Sequence, residues 1–283
     1  MKRESFGSRL GFILVSAGCA IGIGNVWKFP YICGAYGGAA FILIYLCFLV
    51  ILGIPVLVAE FAVGRGSHTS VAKCFDKLAP AGSGWKPLKF IGIIGCYMLM
   101  MFYTTVGGWM IYYCVKSLRG DFVGATPEAV TQSFSDMLGN APTMMLWMVI
   151  ICLIGFAVCF MGLQNGIEKI SKVMMSALLI IMVILAVHSV MMEGAGEGIR
   201  FYLIPDFQKI KEAGVGNVVF AALSQSFFTL SIGIGAMLIF GSYLDKSRSL
   251  TGEAVSITVL DTFVALTAGF IICLLYTSDA ADE

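Results

Sequence analysis

Charged residues are scarce in this sequence. Asp, Glu, Lys and Arg make up 12% of its 283 residues, while 59% of the residues are hydrophobic. A soluble domain carries about 25% charged residues. The charges cluster in short segments between long apolar runs and sum to +1, so nothing suggests a nucleic-acid or polyanion partner. The composition predicts an integral membrane protein embedded in a lipid bilayer.

Motifs of catalytic and metal centres are also missing. The nine cysteines include no Cys-x-x-Cys pair, and no cysteine stands at ligand spacing from either histidine. The sequence has no His-Glu-x-x-His run and no paired aspartates in apolar runs, which an intramembrane protease would need. We therefore expect no enzyme, and no metal centre built from cysteine and histidine.

Long apolar runs, in contrast, are abundant. A bilayer core about 30 Å thick needs roughly 20 apolar residues per helix. Seven runs qualify, and we predict membrane spans at 9–34, 39–64, 88–116, 143–163, 167–192, 216–243 and 252–276. The segments at 64–87, 119–142, 194–214 and 245–253 are predicted loops, with a short surface helix expected within 194–214.

The positive charges set the direction of the spans. If successive spans cross the membrane in opposite directions, twelve of the 18 Lys and Arg residues lie on the same side as the N-terminus. Because these residues stay on the cytoplasmic side, the N-terminus is predicted to be cytoplasmic and the chain to cross the cell (inner) membrane. A seven-helix receptor, the alternative suggested by the span count, would place its N-terminus outside. A retinal protein would need a lysine in the last span, which has none.

Two spans carry the same glycine-rich interruption. The tetrapeptide Ile-Gly-Ile-Gly occupies 21–24 in the first span and 232–235 in the sixth. Each glycine weakens a helix by about 1 kcal/mol relative to alanine, and a helix break within a membrane survives only where it lines a cavity or contacts protein. Paired interruptions of this kind indicate a transporter site near the membrane midplane. Close packing through small residues is the alternative explanation.

Longer motifs surround these interruptions. They are the runs 8–11 and 20–31, the segment 53–55 followed by Glu60, Tyr103 placed six residues before Trp109, and the run 225–231. Together they resemble the neurotransmitter:sodium symporters, whose structural archetype is the bacterial leucine transporter. The resemblance covers about residues 3–275. It implies an all-α, leucine-transporter-like inverted-repeat fold with broken helices 1 and 6. The implied arrangement is a single transporter domain over 1–283, with one five-helix repeat at about 9–192 and the start of a second at about 216–276.

The resemblance also implies ligands for sodium and substrate. A first sodium site would use Ala20, Asn25, Thr229 and Asp261, and a second would use the carbonyls of Gly18 and Ile21. Substrate would contact Cys19, Ala20, Ile23, Gly24, Leu99, Tyr103, Phe228, Thr229, Ser231 and Ile234. The inner gate would comprise Arg3, Phe6 and Tyr243, and Lys28 would stand at the outer gate. Sodium is a hard cation that prefers the oxygen ligands this set supplies.

Substrate and anion preferences follow from single positions. Monoamine-transporting members have an aspartate where this sequence has Gly22, so we expect a neutral amino acid that brings its own carboxylate. Leu99, Phe228 and Ile234 suggest an apolar side chain. Asp261 would replace the negative charge that chloride supplies in other members, so chloride is not expected to be required. Another type of broken-helix transporter stays open as an alternative, and the oligomeric state is not predicted.

The end of the sequence departs from this resemblance. Residues 277–283 look foreign to the family, and the seventh span is still apolar at 271–276. The family's core has two five-helix repeats, so we expect the chain to be the first part of a longer protein, truncated after about seven helices. The chain alone is then not expected to transport.

Overall fold

The computed structural model describes residues 6–192 and 195–279, with side chains described up to residue 275. These residues form helices joined by short turns. The helices are α1 (Arg9–Ala20), α2 (Phe29–Ala35), α3 (Ala39–Phe48), α4 (Ile54–Ser67), α5 (Val71–Leu78), α6 (Leu88–Arg119), α7 (Pro127–Gly139), α8 (Ala141–Phe160), α9 (Lys169–Val190), α10 (Ala195–Leu203), α11 (Phe207–Ala213), α12 (Val215–Thr229), α13 (Ala236–Gly241) and α14 (Leu250–Asp279). Three π-helical segments, Gly24–Lys28, Leu49–Gly53 and Leu163–Glu168, lead into α2, α4 and α9.

Five uninterrupted helical stretches are long and apolar enough to cross a membrane. They are Ala39–Ser67, Leu88–Arg119, Ala141–Phe160, Leu163–Val190 and Leu250–Leu275. The pair Arg9–Ala20 and Gly24–Ala35 would be a sixth span, bent by 55° at its break. The predicted first span is therefore a broken helix, as its glycines indicated.

The predicted sixth span is broken as well. Helix α12 ends at Thr229, and α13 begins only at Ala236. Between them Ser231, Gly233 and Gly235 have φ values of 52°, 89° and 78°. This left-handed conformation cannot continue an α-helix and is costly for a residue with a side chain. Ser231 adopts it without being glycine, so the surrounding contacts hold it there.

Several predicted loops contain helices. The segment 64–87 includes α5, the segment 119–142 includes α7, and the segment 194–214 forms α10 and α11 rather than one surface helix. The loop predicted at 245–253 is shorter, because α14 starts at Leu250. Local capping explains two of these differences: the Thr126 side chain accepts from the Ala129 N–H, and the Asp206 carboxylate accepts from two N–H groups of α11.

Helix α14 lies among α1, α2, α9 and α10 and positions the site. Its residues Ile257, Asp261 and Val264 are fully buried. In its C-terminal half, the Leu266 carbonyl accepts a 2.8 Å hydrogen bond from the Tyr202 hydroxyl of α10. The middle of α14 is therefore enclosed by protein and faces the break in the first helix.

Candidate functional site

The two helix breaks lie against each other. The Ser231 hydroxyl, in the second break, donates a 3.0 Å hydrogen bond to the carbonyl of Cys19 at the end of α1. The Gln225 amide, on α12, donates a 2.9 Å bond to the carbonyl of Gly24. These hydrogen bonds join residues about 200 positions apart in sequence, and they connect one helix break directly to the other. The predicted broken-helix site forms one connected structure.

A cluster of three buried polar side chains stands beside this junction. The Asn25 amide donates to Asp261 Oδ1 at 2.8 Å and to Thr229 Oγ1 at 3.0 Å. The Thr229 hydroxyl in turn donates to Asp261 Oδ2 at 2.8 Å. All three side chains have 0% exposure. The structure therefore brings together three of the predicted sodium ligands, one from each of three helical segments.

Backbone carbonyls are also available next to this cluster. In the first break the Ile21 N–H donates to Ala17, and the N–H groups of Asn25 and Val26 donate to Gly22. Within the described ranges the carbonyls of Ala20 and Ile21 accept no hydrogen bond. An unsatisfied carbonyl inside a membrane is costly, and coordination of a hard cation is one way to satisfy it. The Ala20 carbonyl oxygen is therefore free to coordinate a cation.

The positions predicted for the second sodium site line a separate cavity. Gly18 and Ile21 face a space of about 650 Å³ between α1 and α9. Its other walls are mainly apolar and include Met175 and Leu178, with Ser171 as a hydroxyl-bearing lining residue. The described residues around this space do not form a complete set of oxygen ligands. The second site remains a prediction that rests on Gly18 and Ile21 alone.

The predicted substrate residues surround the junction. A Cβ placed on Gly22 would sit 3.7 Å from the Tyr103 hydroxyl, so Tyr103 faces the first break. The Phe228 ring packs directly on Gly24, since a Cβ there would approach the ring to 2.7 Å. Leu99 lies one helical turn before Tyr103 and is half-buried, as is Ile23 in the first break.

Ile234 packs against a part of α6 that the sequence analysis did not single out. Its carbonyl accepts a 3.2 Å hydrogen bond from the Cys96 thiol, and its side chain lies 3.4 Å from a Cβ position on Gly95. Cys96 precedes Leu99 by three residues and Tyr103 by seven, which is the spacing of one helix face. That spacing was a usable signal for placing Cys96 on the wall of the site.

Glu60 holds the second break in place. Its carboxylate accepts a 2.5 Å hydrogen bond from the Gly233 N–H. Gly233 is one of the left-handed residues between α12 and α13, so the bond satisfies a backbone donor released by the break. Glu60 therefore contacts the unwound backbone and supports the shape of the site.

The residues predicted to form the gates make aromatic contacts. Lys28 Nζ lies 4.3 Å from the centroid of the Phe228 ring, a cation–π arrangement. On the other side of the breaks the rings of Phe6 and Tyr243 pack edge to face at 5.8 Å. Arg3 lies outside the described residues. The structure adds one contact that sequence reasoning missed, a 2.9 Å ion pair between Arg9 and the buried Glu253.

In the family that the sequence resembles, chloride-dependent members bind the anion at the positions of Tyr45, Gln225 and Thr229. The hydroxyl oxygens of Tyr45 and Thr262 are both buried. Tyr45 and Gln225 are fully buried, and so is Ala265, one turn beyond Asp261. Asp261 is the acidic side chain of this described cluster, and its two carboxylate oxygens accept from Asn25 and Thr229.

The comparisons with known proteins agree on one family. A model described as the Sodium:neurotransmitter symporter family matches residues 3–133 and 128–281. YhdH of Bacillus subtilis, named an uncharacterized sodium-dependent transporter, is 35% identical over 271 residues, which are 96% of this chain and 59% of the relative. An uncharacterized sodium-dependent transporter of Haemophilus influenzae is 32% identical over 96% of this chain and 60% of its own length.

A solved structure shows the same fold. MhsT in complex with L-phenylalanine matches with a TM-score of 0.88 at 37% identity, covering 98% of this chain and 62% of that chain. The predicted leucine-transporter fold is thereby confirmed. The chain spans about 60% of the length of these relatives. Neither a receptor nor an unrelated broken-helix transporter is favoured by these matches.

Proposed function

Because the chain belongs to the Sodium:neurotransmitter symporter family, we propose that the whole protein carries a neutral amino acid into the cell together with sodium by alternating access. The observation that carries the proposal is the buried cluster of Asn25, Thr229 and Asp261 at the junction of the two helix breaks. A fully buried carboxylate is expensive in a membrane unless it has a functional partner. Sodium, held by these side chains and the Ala20 carbonyl, is that partner.

The space between Gly22 and Tyr103 supports an amino-acid substrate. A side chain at Gly22 would occupy the room in front of the Tyr103 hydroxyl, whereas glycine leaves it for a group that the substrate brings. A carboxylate there would accept a hydrogen bond from Tyr103 and contribute to the sodium shell. The relative MhsT was solved with L-phenylalanine, which favours a substrate with a large apolar side chain lying near Leu99, Phe228 and Ile234.

The placement of Asp261 supports transport without chloride. In the family, chloride-dependent members bind the anion at the positions of Tyr45, Gln225 and Thr229, beside the position of Asp261. Here the Asp261 carboxylate already lies within hydrogen-bonding distance of Thr229. A second negative charge at this depth would be repelled. The proposed protein therefore needs sodium and substrate but no chloride.

The proposed placement in the membrane follows from the charge distribution. The N-terminus would be cytoplasmic in the cell (inner) membrane, so the ring pair Phe6–Tyr243 would close the inner side and Lys28 with Phe228 the outer side. The division into repeats at about 9–192 and 216–276 is part of the same proposal. Each repeat would begin with one of the broken helices.

Uptake by the full-length protein in proteoliposomes tests the proposal. Labelled phenylalanine and leucine should accumulate when sodium is outside and should not when choline replaces it. Gluconate in place of chloride should leave uptake unchanged. Accumulation that is independent of sodium would contradict symport, and dopamine or serotonin outcompeting every amino acid would contradict the substrate class.

A further inference from the structure

Ile234 lies between two glycines in the second helix break. Gly233 and Gly235 have φ values of 89° and 78°, in a region that residues with side chains rarely adopt. No regular helix fixes the position of Ile234, so contacts with neighbouring segments must fix it. Glu60 accepts from the N–H of Gly233, and Gly235 lies so close to Val71 that a Cβ on it would approach that side chain to 2.6 Å.

Two adjacent small residues of α6 hold Ile234 itself. The Cys96 thiol donates a 3.2 Å hydrogen bond to the Ile234 carbonyl. Gly95 faces the Ile234 side chain, since a Cβ on Gly95 would lie 3.4 Å from Ile234 Cγ2 and 3.9 Å from Ile234 Cβ. Cys96 therefore fixes the backbone of Ile234, and the missing side chain of Gly95 leaves room for the Ile234 side chain against α6.

This part of α6 continues into the wall of the candidate site. Leu99 follows Gly95 by four residues and Cys96 by three, and Tyr103 follows Leu99 by four. Residues at this spacing lie on one face of a helix. Gly95 and Cys96 are thus one turn before Leu99 on the face that Tyr103 presents to the first break.

The second break is hydrogen-bonded on two sides. Cys96 ties it to α6, and the Ser231 hydroxyl ties it to the Cys19 carbonyl of α1. The segment therefore lies between α6 and the first broken helix. Ile234 is half-buried, so its side chain has room to move. A larger residue at Gly95 displaces that side chain from α6 toward the junction of the two breaks.

We propose that Gly95 and Cys96 determine how large a substrate side chain the site accepts, an inference that rests on the proposed function. Gly95 lets Ile234 lie back against α6, which leaves space in the pocket for a large apolar substrate side chain. Cys96 keeps the Ile234 backbone in that place. Both act through Ile234 rather than on the substrate, so they are positioning residues.

Uptake of phenylalanine and of leucine by the full-length protein in proteoliposomes tests the role of Gly95. The readout is the ratio of the two kcat/KM values, because loss of folded protein lowers both values equally and leaves their ratio unchanged. In Gly95→Val the added methyl groups compete with Ile234 for space, and the phenylalanine-to-leucine ratio should fall roughly tenfold. Gly95→Ala adds one methyl group and should lower the ratio by a smaller factor.

A matched control is Gly155→Val in α8. A Cβ on Gly155 has no atom within 4 Å, so the same substitution there should leave the ratio of the unmodified protein. If Gly95→Val does not fold, Gly95→Ala decides the question with the same readout.

Two variants test the hydrogen bond of Cys96. Cys96→Ala removes the donor to the Ile234 carbonyl, so Ile234 is no longer held against α6 and the phenylalanine-to-leucine ratio should fall about threefold. Cys96→Ser keeps a donor at the same position and should retain the ratio of the unmodified protein. A role in packing alone would not distinguish the two variants in this way.

Two results would overturn the inference. A phenylalanine-to-leucine ratio that is unchanged or raised in the Gly95 variants would show that Gly95 does not set the size of the pocket, whether or not both uptakes fall. Equal ratios in Cys96→Ala and Cys96→Ser would show that the hydrogen bond does not position Ile234. Either result leaves sodium-driven uptake by the unmodified protein standing, whereas sodium-independent uptake by the unmodified protein would contradict the proposed function itself.

Discussion

The side-chain amide of Asn25 donates a 2.8 Å hydrogen bond to the carboxylate of Asp261, across 236 positions of sequence. It also donates to the Asp261 backbone carbonyl at 3.3 Å. The first helix break and the middle of α14 are thus connected through the group that we propose as the sodium ligand. A change in charge at Asp261 therefore alters both the ion site and the connection between the two helices.

Asp261→Asn removes the negative charge but keeps the size of the side chain. We expect sodium-driven uptake in gluconate to fall at least roughly tenfold, equivalent to about 1.4 kcal/mol of lost binding free energy, because sodium loses its one anionic side-chain ligand in the cluster. Chloride should restore part of the activity by supplying the missing charge beside Tyr45 and Gln225. The measurement is initial uptake in gluconate and in chloride. Asp136→Asn, the same change at an exposed position of α7, is the control, and strict chloride dependence of the unmodified protein would rule out this role.

Gly22→Asp fills the space in front of Tyr103. The new carboxylate would lie near the Tyr103 hydroxyl, where the substrate carboxylate is proposed to bind, so phenylalanine uptake should fall more than roughly tenfold by charge repulsion. Gly22→Ala is the matched control, since its Cβ would have ordinary van der Waals contacts of 3.7 Å. Its uptake should stay within about threefold of the unmodified protein. Equal losses in the two variants would argue against a carboxylate site at this position.

Gly24→Ala displaces the Phe228 ring, which we propose covers the substrate. Its Cβ would approach the Phe228 ring to 2.7–2.8 Å, so the ring must shift and its contact with Lys28 must lengthen. We expect a higher KM for substrate with a smaller change in kcat, because ground-state coverage of the substrate is weakened. Gly34→Ala, in the α2 helix that follows this segment and with no atom within 4 Å of its Cβ, should behave as the unmodified protein. If KM is unchanged in Gly24→Ala, Phe228 does not cover the substrate.

Gly64→Ala tests the packing of α4 on α13. A Cβ at this position would overlap the Leu238 carbonyl and reach the Ser242 backbone nitrogen at 2.9 Å, so backbone atoms must move. Overpacking of this kind costs about 1–3 kcal/mol of stability. The purified variant in detergent should unfold at a lower temperature in a thermal-shift measurement. Gly66→Ala, whose nearest contact is the flexible Leu78 side chain at 3.7 Å, should match the unmodified protein, and equal unfolding temperatures for both variants would refute the close approach.

Local patterns in the sequence determined the membrane spans and their interruptions. Hydropathy over about 20 residues reflects the free energy of placing that segment in lipid, so the spans at 88–116 and 143–163 agree with α6 and α8 within three residues at each end. The Ile-Gly-Ile-Gly runs identified both breaks because glycine disfavours helix locally. The capping residues before α7 and α11 are equally local signals. Because these two segments have low hydropathy, however, the sequence analysis predicted them as loops.

Only the tertiary structure decided which side chains meet. The resemblance to the symporter family named Asn25, Thr229 and Asp261, but their hydrogen bonds depend on how the π-helical segment Gly24–Lys28, α12 and α14 pack. The ion pair of Arg9 with Glu253 had no sequence signal of its own, and the spacing of Cys96 indicated its helix face but not its bond to Ile234. Contacts between residues 138 to 244 positions apart arise from the rotation and close approach of whole helices. The relative placement of the helices depends on close packing throughout the bundle, so it cannot be read from a short stretch of sequence.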